Sequence, residues 1–444
     1  MAIKGAKWLV AVLALYLSNT AHALPFMSLD PASMAMGGTG VGIARPGTAA
    51  FFNPALLSVT RDEDDFALEL PIIGARVFDP ADLEDQIDQA QTAVDQLDIS
   101  IRAVESNPTA PGNFSAVATN TTNLNRSLQN MDNQPLEGEL GVGMAVGIPS
   151  KKFAFGLFFN VGANIQFVSH YADANDLNAL SADAQIIEDC RTNSATCQSN
   201  ASNLTLITVD SVTNPTTANV LFDPNTDLDS TADLRGLYIG EVGIAVAKDF
   251  GEYSIGITPK YVRVDTYDYR AAIDDADSSD ADADDYKKSY KTFNLDVGIA
   301  RTRERWRFGA AIKDVLTKEF ETAQKDRLSG DAYAARGGAI TMKPRLRIGT
   351  SYDVDWAVFA ADFDVTQNDS VGSGSDSQLL ALGAEFDAWR VLQLRLGYRA
   401  DLENSERSVP SAGLGLSIFG VHLDAAVAAN SNEIGAALQF GLRF

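Results

Sequence analysis

Residues 434–444 alternate almost without a break. Ile434, Ala436, Leu438, Phe440, Leu442 and Phe444 fall on one side, and Gly435, Ala437, Gln439, Gly441 and Arg443 on the other. Successive side chains of a strand face opposite sides, so this segment reads as a strand with one apolar and one wet face. It is long enough to cross a bilayer when tilted, which takes about 9–11 residues. The pattern recurs. Leu140, Val142, Met144, Val146 and Ile148 form an apolar row against Glu139, Gly141, Gly143, Ala145 and Gly147. After the turn Pro149-Ser150-Lys151-Lys152, Phe153, Phe155, Leu157, Phe159 and Val161 make the next such row.

Period-two patterning along the whole chain predicts fourteen strands. They cover about 65–77, 139–148, 153–161, 234–248, 253–263, 293–300, 306–315, 345–352, 356–365, 379–386, 391–399, 411–418, 421–429 and 434–444. Connections after the even-numbered strands are about two to five residues. Those after strands one to nine with odd numbers are mostly long. Short periplasmic turns and long external loops characterise outer-membrane barrels. The expected fold is therefore an all-β, transmembrane antiparallel β-barrel of about 14 strands, and the expected location is the bacterial outer membrane. Membrane lipid is the first expected partner.

The helical period appears once with force. Asp79–Val104 places Leu83, Ile87, Ala90, Val94, Leu97, Ile101 and Val104 at spacings of four and three. Asp79 is placed to cap this helix, with Pro80 at its first position. Phe114, Val117, Thr121, Leu124, Leu128 and Met131 repeat the stripe more weakly. A helical hairpin is expected within the insertion 79–133, outside the cell by strand parity. Its stripe reads either as a packed lid or, where exposed, as a landing groove for apolar substrate.

Composition adds an address. Residues 1–23 combine Lys4 and Lys7, the apolar run Trp8–Leu17 and the small-x-small site Ala21-His22-Ala23. That is a secretory signal peptide, with the mature chain expected to start at Leu24. Its removal takes the formal charge from -24 to -26, because it carries two lysines and no acid. Mean hydropathy of -0.06 suits a barrel, since half of each spanning strand is polar or small. The acidic balance argues against nucleic acid, which needs Lys and Arg on the binding surface. Asp274, Asp275, Asp277, Asp280, Asp282, Asp284 and Asp285 cluster in one run. It reads as a solvated loop or a calcium site. It lacks the glycine and terminal glutamate spacing of an EF-hand, so no metal is assigned.

Cys190 and Cys197 sit close together in the polar insertion 169–233. In an exported chain an even, close pair reads as a disulfide. Free thiols and a metal pair are the alternatives, with His170 and His422 the histidines beyond residue 23. His170 falls near a strand's outer end, and His422 points inward beside Asp424. No nucleophile is identifiable at a base, so no catalytic residue, enzymatic activity or cofactor is expected.

Inward rows carry charge. Arg345 and Arg347 share the inner face of one strand, and Asp362 and Asp364 that of its hairpin partner. Arg395, Arg399 and Arg443 are inner residues further on. Facing lipid at the midplane, an Arg would cost about 2–4 kcal/mol. They read as ion-pair ladders bracing the wall, or as a charged substrate path. Many other inner positions are Gly or Ala, so water or a plug must fill the interior. Pro71 and Pro259 fall in predicted strands, where proline removes a ladder donor. Placement at strand ends is the plain expectation; a kink with a side opening is the other.

Residues 24–60 precede the first strand of the unit 61–444 and include a Gly-rich stretch suited to a plug. Met34-Ala35-Met36-Gly37-Gly38-Thr39-Gly40, followed by Ala49-Ala50-Phe51-Phe52-Asn53-Pro54-Ala55, resembles the N-terminal hatch of the FadL-type long-chain fatty acid transporters and their PorV-like relatives. Asn53-Pro54-Ala55 is the best match. The chain also resembles the exported barrel family named for conjugal transfer protein TraF, through this hatch, Pro71-Ile72-Ile73-Gly74-Ala75-Arg76 leading into Asp79-Pro80, and Ile148-Pro149-Ser150-Lys151-Lys152. Nothing resembles the thioredoxin-like proteins of the same name, since the cysteines are not a C-x-x-C pair. The resemblance implies fourteen strands and passive uptake of a hydrophobic, fatty-acid-like small molecule past a hatch at Gly37, Gly38, Gly40, Asn53, Pro54 and Ala55. It also implies the alternative of a conjugal-transfer or export role with an envelope protein partner.

Overall fold

A computed structural model describes residues 30–59, 65–192, 197, 204–272, 284–325, 333–372, 376–388 and 391–444. The expected signal peptide 1–23, residues 24–29, and Asp274, Asp275, Asp277, Asp280 and Asp282 of the acidic run lie outside them.

Fourteen antiparallel strands close on themselves. They are β1 Ala67–Phe78, β2 Pro135–Ile148, β3 Ala154–His170, β4 Thr231–Asp249, β5 Ser254–Ala272, β6 Lys287–Arg303, β7 Trp306–Lys313, β8 Arg345–Val354, β9 Ala357–Asp364, β10 Leu379–Ala388, β11 Leu392–Asp401, β12 Val409–Ile418, β13 Val421–Ala429 and β14 Glu433–Arg443. Neighbours in the chain pair throughout, and β1 pairs with β14 to complete the ring, with Ile73 opposite Leu438. Closure leaves no strand edge, as lipid requires.

Alternation sets the two faces. Ile244, Leu396, Leu414 and Leu438 point outward and are each more than half exposed. Glu139, Lys260, Arg347 and Gln439 point inward and are buried. Trp306, Trp356, Phe153, Phe250 and Phe444 are exposed at the rim with the short turns, the interfacial aromatic belt of a membrane barrel. No helix among the described residues is long and apolar enough to cross a membrane.

Several boundaries move. β3, β5 and β6 run to 17, 19 and 17 residues, well beyond the spans expected from apolar alternation. Outside the lipid band the outward residues turn polar, as at Arg263, so the alternation stops while the hydrogen-bonded ladder continues to Thr231↔Ala272. Both prolines lie within strands rather than at their ends, which corrects that expectation. At Leu70-Pro71 the register of β1 slips against both neighbours between Glu69 and Ile72, a bulge that absorbs the missing donor. At Pro259 the β4–β5 pairing lapses between Gly243↔Lys260 and Val246↔Ile257 with no change of register, while Pro259 stays opposite Leu295 on the other side.

The first long connection holds the expected hairpin, α3 Leu83–Ser106 and α4 Asn113–Met131, after the two short helices of the N-terminal segment described below. Helix α3 starts three residues later than Pro80. Asp79 still caps it, its carboxylate accepting from the Leu83 amide at 2.8 Å. A further helix, α5 Ala174–Thr192, was not legible, because its apolar residues make only a weak stripe. Leu177, Leu180 and Ile187 of α5 bury against Leu97, Leu124 and Leu128 of the hairpin. That packing fills the apolar seam, so no exposed landing groove is seen among the described residues. Cys190 and Cys197 are joined by a disulfide at the end of α5.

Candidate functional site in the occupied lumen

The described part of the N-terminal segment lies inside the barrel. Asp30 caps α1 (Pro31–Ala35) by accepting from the Ser33 amide at 2.8 Å. Burial pushes the Asp30 carboxyl up to about 6, opposed by that hydrogen bond. The chain then turns at Gly37 and Gly38, whose φ values of 71° and 98° suit glycine. It continues through α2 (Ala49–Phe52) into a 3-10 turn, Pro54–Ser58.

Wall glycines form the seat. A Cβ on Gly397 would lie 2.1 Å from the Gly37 amide nitrogen, and one on Gly256 would lie 2.4 Å from the Pro54 carbonyl carbon. A Cβ on Gly298 would lie 2.0 Å from Asn53 Oδ1. The small inner residues read from the sequence are therefore where segment backbone meets wall. Asn53 is fully buried. Its Nδ2 donates to Val41 O at 3.0 Å and to Ile299 O at 3.1 Å, and its Oδ1 accepts from the Ala55 amide at 3.1 Å. One side chain thus joins two parts of the segment to β6.

The inward charges are divided in their roles. Arg347 pairs with Asp364 across β8 and β9, at 2.5 and 2.9 Å, as a ladder would. Arg347 also donates to Gly38 O at 3.2 Å. Asp362 accepts from the amides of Gly40 and Val41 at 2.7 and 2.8 Å, so it binds the segment and does not brace the wall. Arg395 joins Glu385 at 2.6 Å and Asp424 at 2.5 Å, and Arg45 of the segment reaches the same Glu385 at 2.7 Å. Arg345 pairs with Asp314. Arg443 lines the short-turn end of the lumen. His422 meets Glu69 at 2.6 Å and lies 4.0 Å from Asp424. His170 stands at the outer end of β3, 3.0 Å from Asp233.

Sequence reading missed one cluster. Lys260 is fully buried with Glu241 at 2.8 Å, Asp296 at 3.0 Å and Asp314 at 2.7 Å. Inward parity on β4, β5 and β6 could have found the first three. The far end of the lumen is closed by a second, unexpected element. Strands Lys318–Glu321 and Ala339–Met342 pair as a hairpin that folds into the barrel mouth. Phe320, Ile340 and Met342 pack on the inner-face residues Leu237, Val262 and Val264. Polar contacts hold the hairpin: Thr266 donates to Glu321 O at 2.9 Å and Thr322 to Asp268 at 3.0 Å.

Among the described residues, three spaces bear on the lumen. A vestibule of about 890 Å³ lies under the segment at the short-turn end, lined by Arg45, Arg307, Glu385, His422 and Gln439 among others. On one side above the segment, a polar gap of about 60 Å³ is lined by Arg76, Glu139, Arg399 and Glu433. On the other side, a chamber of about 70 Å³ lies between the segment and the folded-in hairpin. Phe51, Phe52, Ile72, Leu237, Ile239, Met342 and Val371 give it apolar walls, and Asn160, Asn164, Glu241, Lys313 and Arg345 polar ones. Ile72 closes the β1 bulge, so the chamber abuts the irregular part of the wall. No group of His, Cys, Asp and Glu suited to a metal occurs among the described residues.

The family model described as "F plasmid transfer operon, TraF, protein" matches residues 50–364. The chain belongs to this TraF family. No curated protein matches it. Among solved structures, the TodX deltaS2S3 mutant monoaromatic hydrocarbon channel is similar at 12% identity and a TM-score of 0.50, covering 94% of this chain and 99% of that one. The toluene transporter TbuX of Ralstonia pickettii is similar at 13% identity and a TM-score of 0.49, with 96% and 99% covered. This TraF-family barrel thus shares the fold of the TodX channel and is an outer-membrane type of barrel.

Proposed function

We propose that this barrel takes up hydrophobic small molecules passively across the outer membrane, with the N-terminal segment as a hatch. The observation that carries the reading is the chamber between two inward-folded elements, apolar on one side and set against the β1 bulge. Apolar pockets with a few convergent polar groups are the usual form of small-molecule sites. The hatch is seated by hydrogen bonds donated by Asn53 and Arg347 and accepted by Asp362, each breakable by a small displacement. The bulge at Leu70-Pro71 offers a lateral exit toward lipid; Pro259, whose neighbours keep their register, is the weaker candidate. The TodX channel, whose fold this chain shares, is described as conducting monoaromatic hydrocarbons, which extends the ligand class from fatty-acid-like molecules to single rings. The test is uptake of labelled toluene and oleate by cells with and without the gene, at matched expression of other porins. Equal uptake of both would remove the proposal.

The family description favours a second reading, an assembly or interaction role in conjugation. Its surface would be the outer layer of α3, α4 and α5, and its partner an envelope protein. Cross-linking in mating cells that recovers no envelope protein on this layer would remove it.

A further inference from the structure

The chamber's chemistry is more specific than apolarity. Gly143 on β2 leaves a gap in its wall. A Cβ there would lie 3.5 Å from the ring tip of Phe51 and 3.5 Å from Asn160 Oδ1, so an aromatic edge and an amide oxygen flank one small space. Asn160 faces the chamber, and its amide makes no hydrogen bond to another described residue. The charges around it are already engaged. Lys313 donates to Phe51 O at 3.0 Å, Arg345 pairs with Asp314, and Lys260 holds Glu241, Asp296 and Asp314. Three cations thus face Glu241, Asp296 and Asp314, with the Asp30 carboxyl also lining the chamber, and an anionic head would meet Glu241 and Asp30 with no cation to itself. A bare hydrocarbon would cover the Asn160 amide and leave it unpaired, which sites of this kind penalise strongly.

Resting on the uptake reading, we propose that the chamber binds a single aromatic ring carrying one uncharged hydroxyl, a phenol. The hydroxyl donates to Asn160 Oδ1, and the ring lies against Phe51 over Gly143. The void of about 70 Å³ is smaller than the roughly 150 Å³ cavity that holds benzene, so one wall must yield. Met342 is that wall: it is unbranched, adaptable, and belongs to the hairpin rather than the barrel.

Calorimetry on the intact barrel in amphipol, with toluene, p-cresol and p-toluate, compares one ring bearing no head, a neutral head and an anionic head. The unsubstituted protein should bind p-cresol at least tenfold more tightly than either other probe. Asn160→Leu should bring p-cresol and toluene within threefold while leaving toluene unchanged. Gly143→Ala adds a methyl at ordinary contact distance, so the barrel folds, and it should weaken p-cresol at least fivefold. Toluene binding as tightly as p-cresol, or a ratio unmoved by Asn160→Leu, would overturn the phenol assignment and leave the uptake reading standing. If none of the three binds, the phenol assignment falls, and the uptake reading is decided separately by the oleate arm of the uptake assay.

Discussion

Asn53→Ala tests whether the N-terminal segment is held as the geometry indicates. The substitution removes three hydrogen bonds of 3.0–3.1 Å from a fully buried side chain. The Ala55 amide is left without its acceptor, which costs about 1–3 kcal/mol. The carbonyls of Val41 and Ile299 lose a donor each, and acceptors with two lone pairs tolerate this better. A total near 2–4 kcal/mol raises the unseated fraction roughly 30- to 700-fold at 1.4 kcal/mol per decade. The two native cysteines are bonded to each other, so a thiol placed at the buried Ser58 is the single reagent target. In a Ser58→Cys background, maleimide labelling should be at least tenfold faster with Asn53→Ala than without. Labelling unchanged within twofold, in a barrel that still migrates as the folded form on an unheated gel, would refute the assignment of Asn53 as the pin.

Three further outcomes follow from the same seat. Gly256→Ala forces a methyl to 2.4 Å from the Pro54 carbonyl carbon and should speed labelling at Ser58→Cys as overpacking of about 1–3 kcal/mol requires, whereas Gly240→Ala, which meets nothing within 4 Å, should not. Arg347→Met leaves Asp364 buried without its cation and should lower stability to urea by about 3–5 kcal/mol, with most of it recovered in Arg347→Met/Asp364→Leu. Asp30 has its pKa raised from 3.8 to about 6 by burial, with Asp424 and Glu69 adding to the rise and Arg395 opposing it. The seated form therefore holds a proton that the unseated form releases between those values, so seating is strongest below pH 4 and weakens as pH rises through 6. Labelling at Ser58→Cys, corrected for thiol ionisation, should be roughly tenfold faster at pH 7 than at pH 5, and Asp30→Asn should abolish the difference.

The strand ring was legible from local pattern for a simple reason. Lipid treats every outward position alike, so Leu438 or Ile244 must be apolar whatever its neighbours are, and period two survives averaging. Turn residues at 149–152 and the hairpin helices are local in the same sense. Helix α5 escaped because its few buried residues face two partners that only the assembled layer supplies. Pro71 was misplaced because a bulge is a relation among three strands, and Pro259 because a lapse in pairing without a register change is a relation between two, neither visible in one strand alone.

The amino-acid sequence by itself determined the closed wall, its oily exterior, the number of strands and the presence of small, charged inward rows. Only the tertiary structure decided what those rows serve: that Gly256 and Gly298 receive Asn53 and Pro54, that Asp362 holds backbone while Asp364 holds Arg347, and that the paired strands Lys318–Glu321 and Ala339–Met342 fold back into the mouth. The contacts between the N-terminal segment and the wall join residues hundreds of positions apart inside a volume fixed by closure of the ring. No local period encodes such a contact, because its energy exists only once the wall and its contents are in place together.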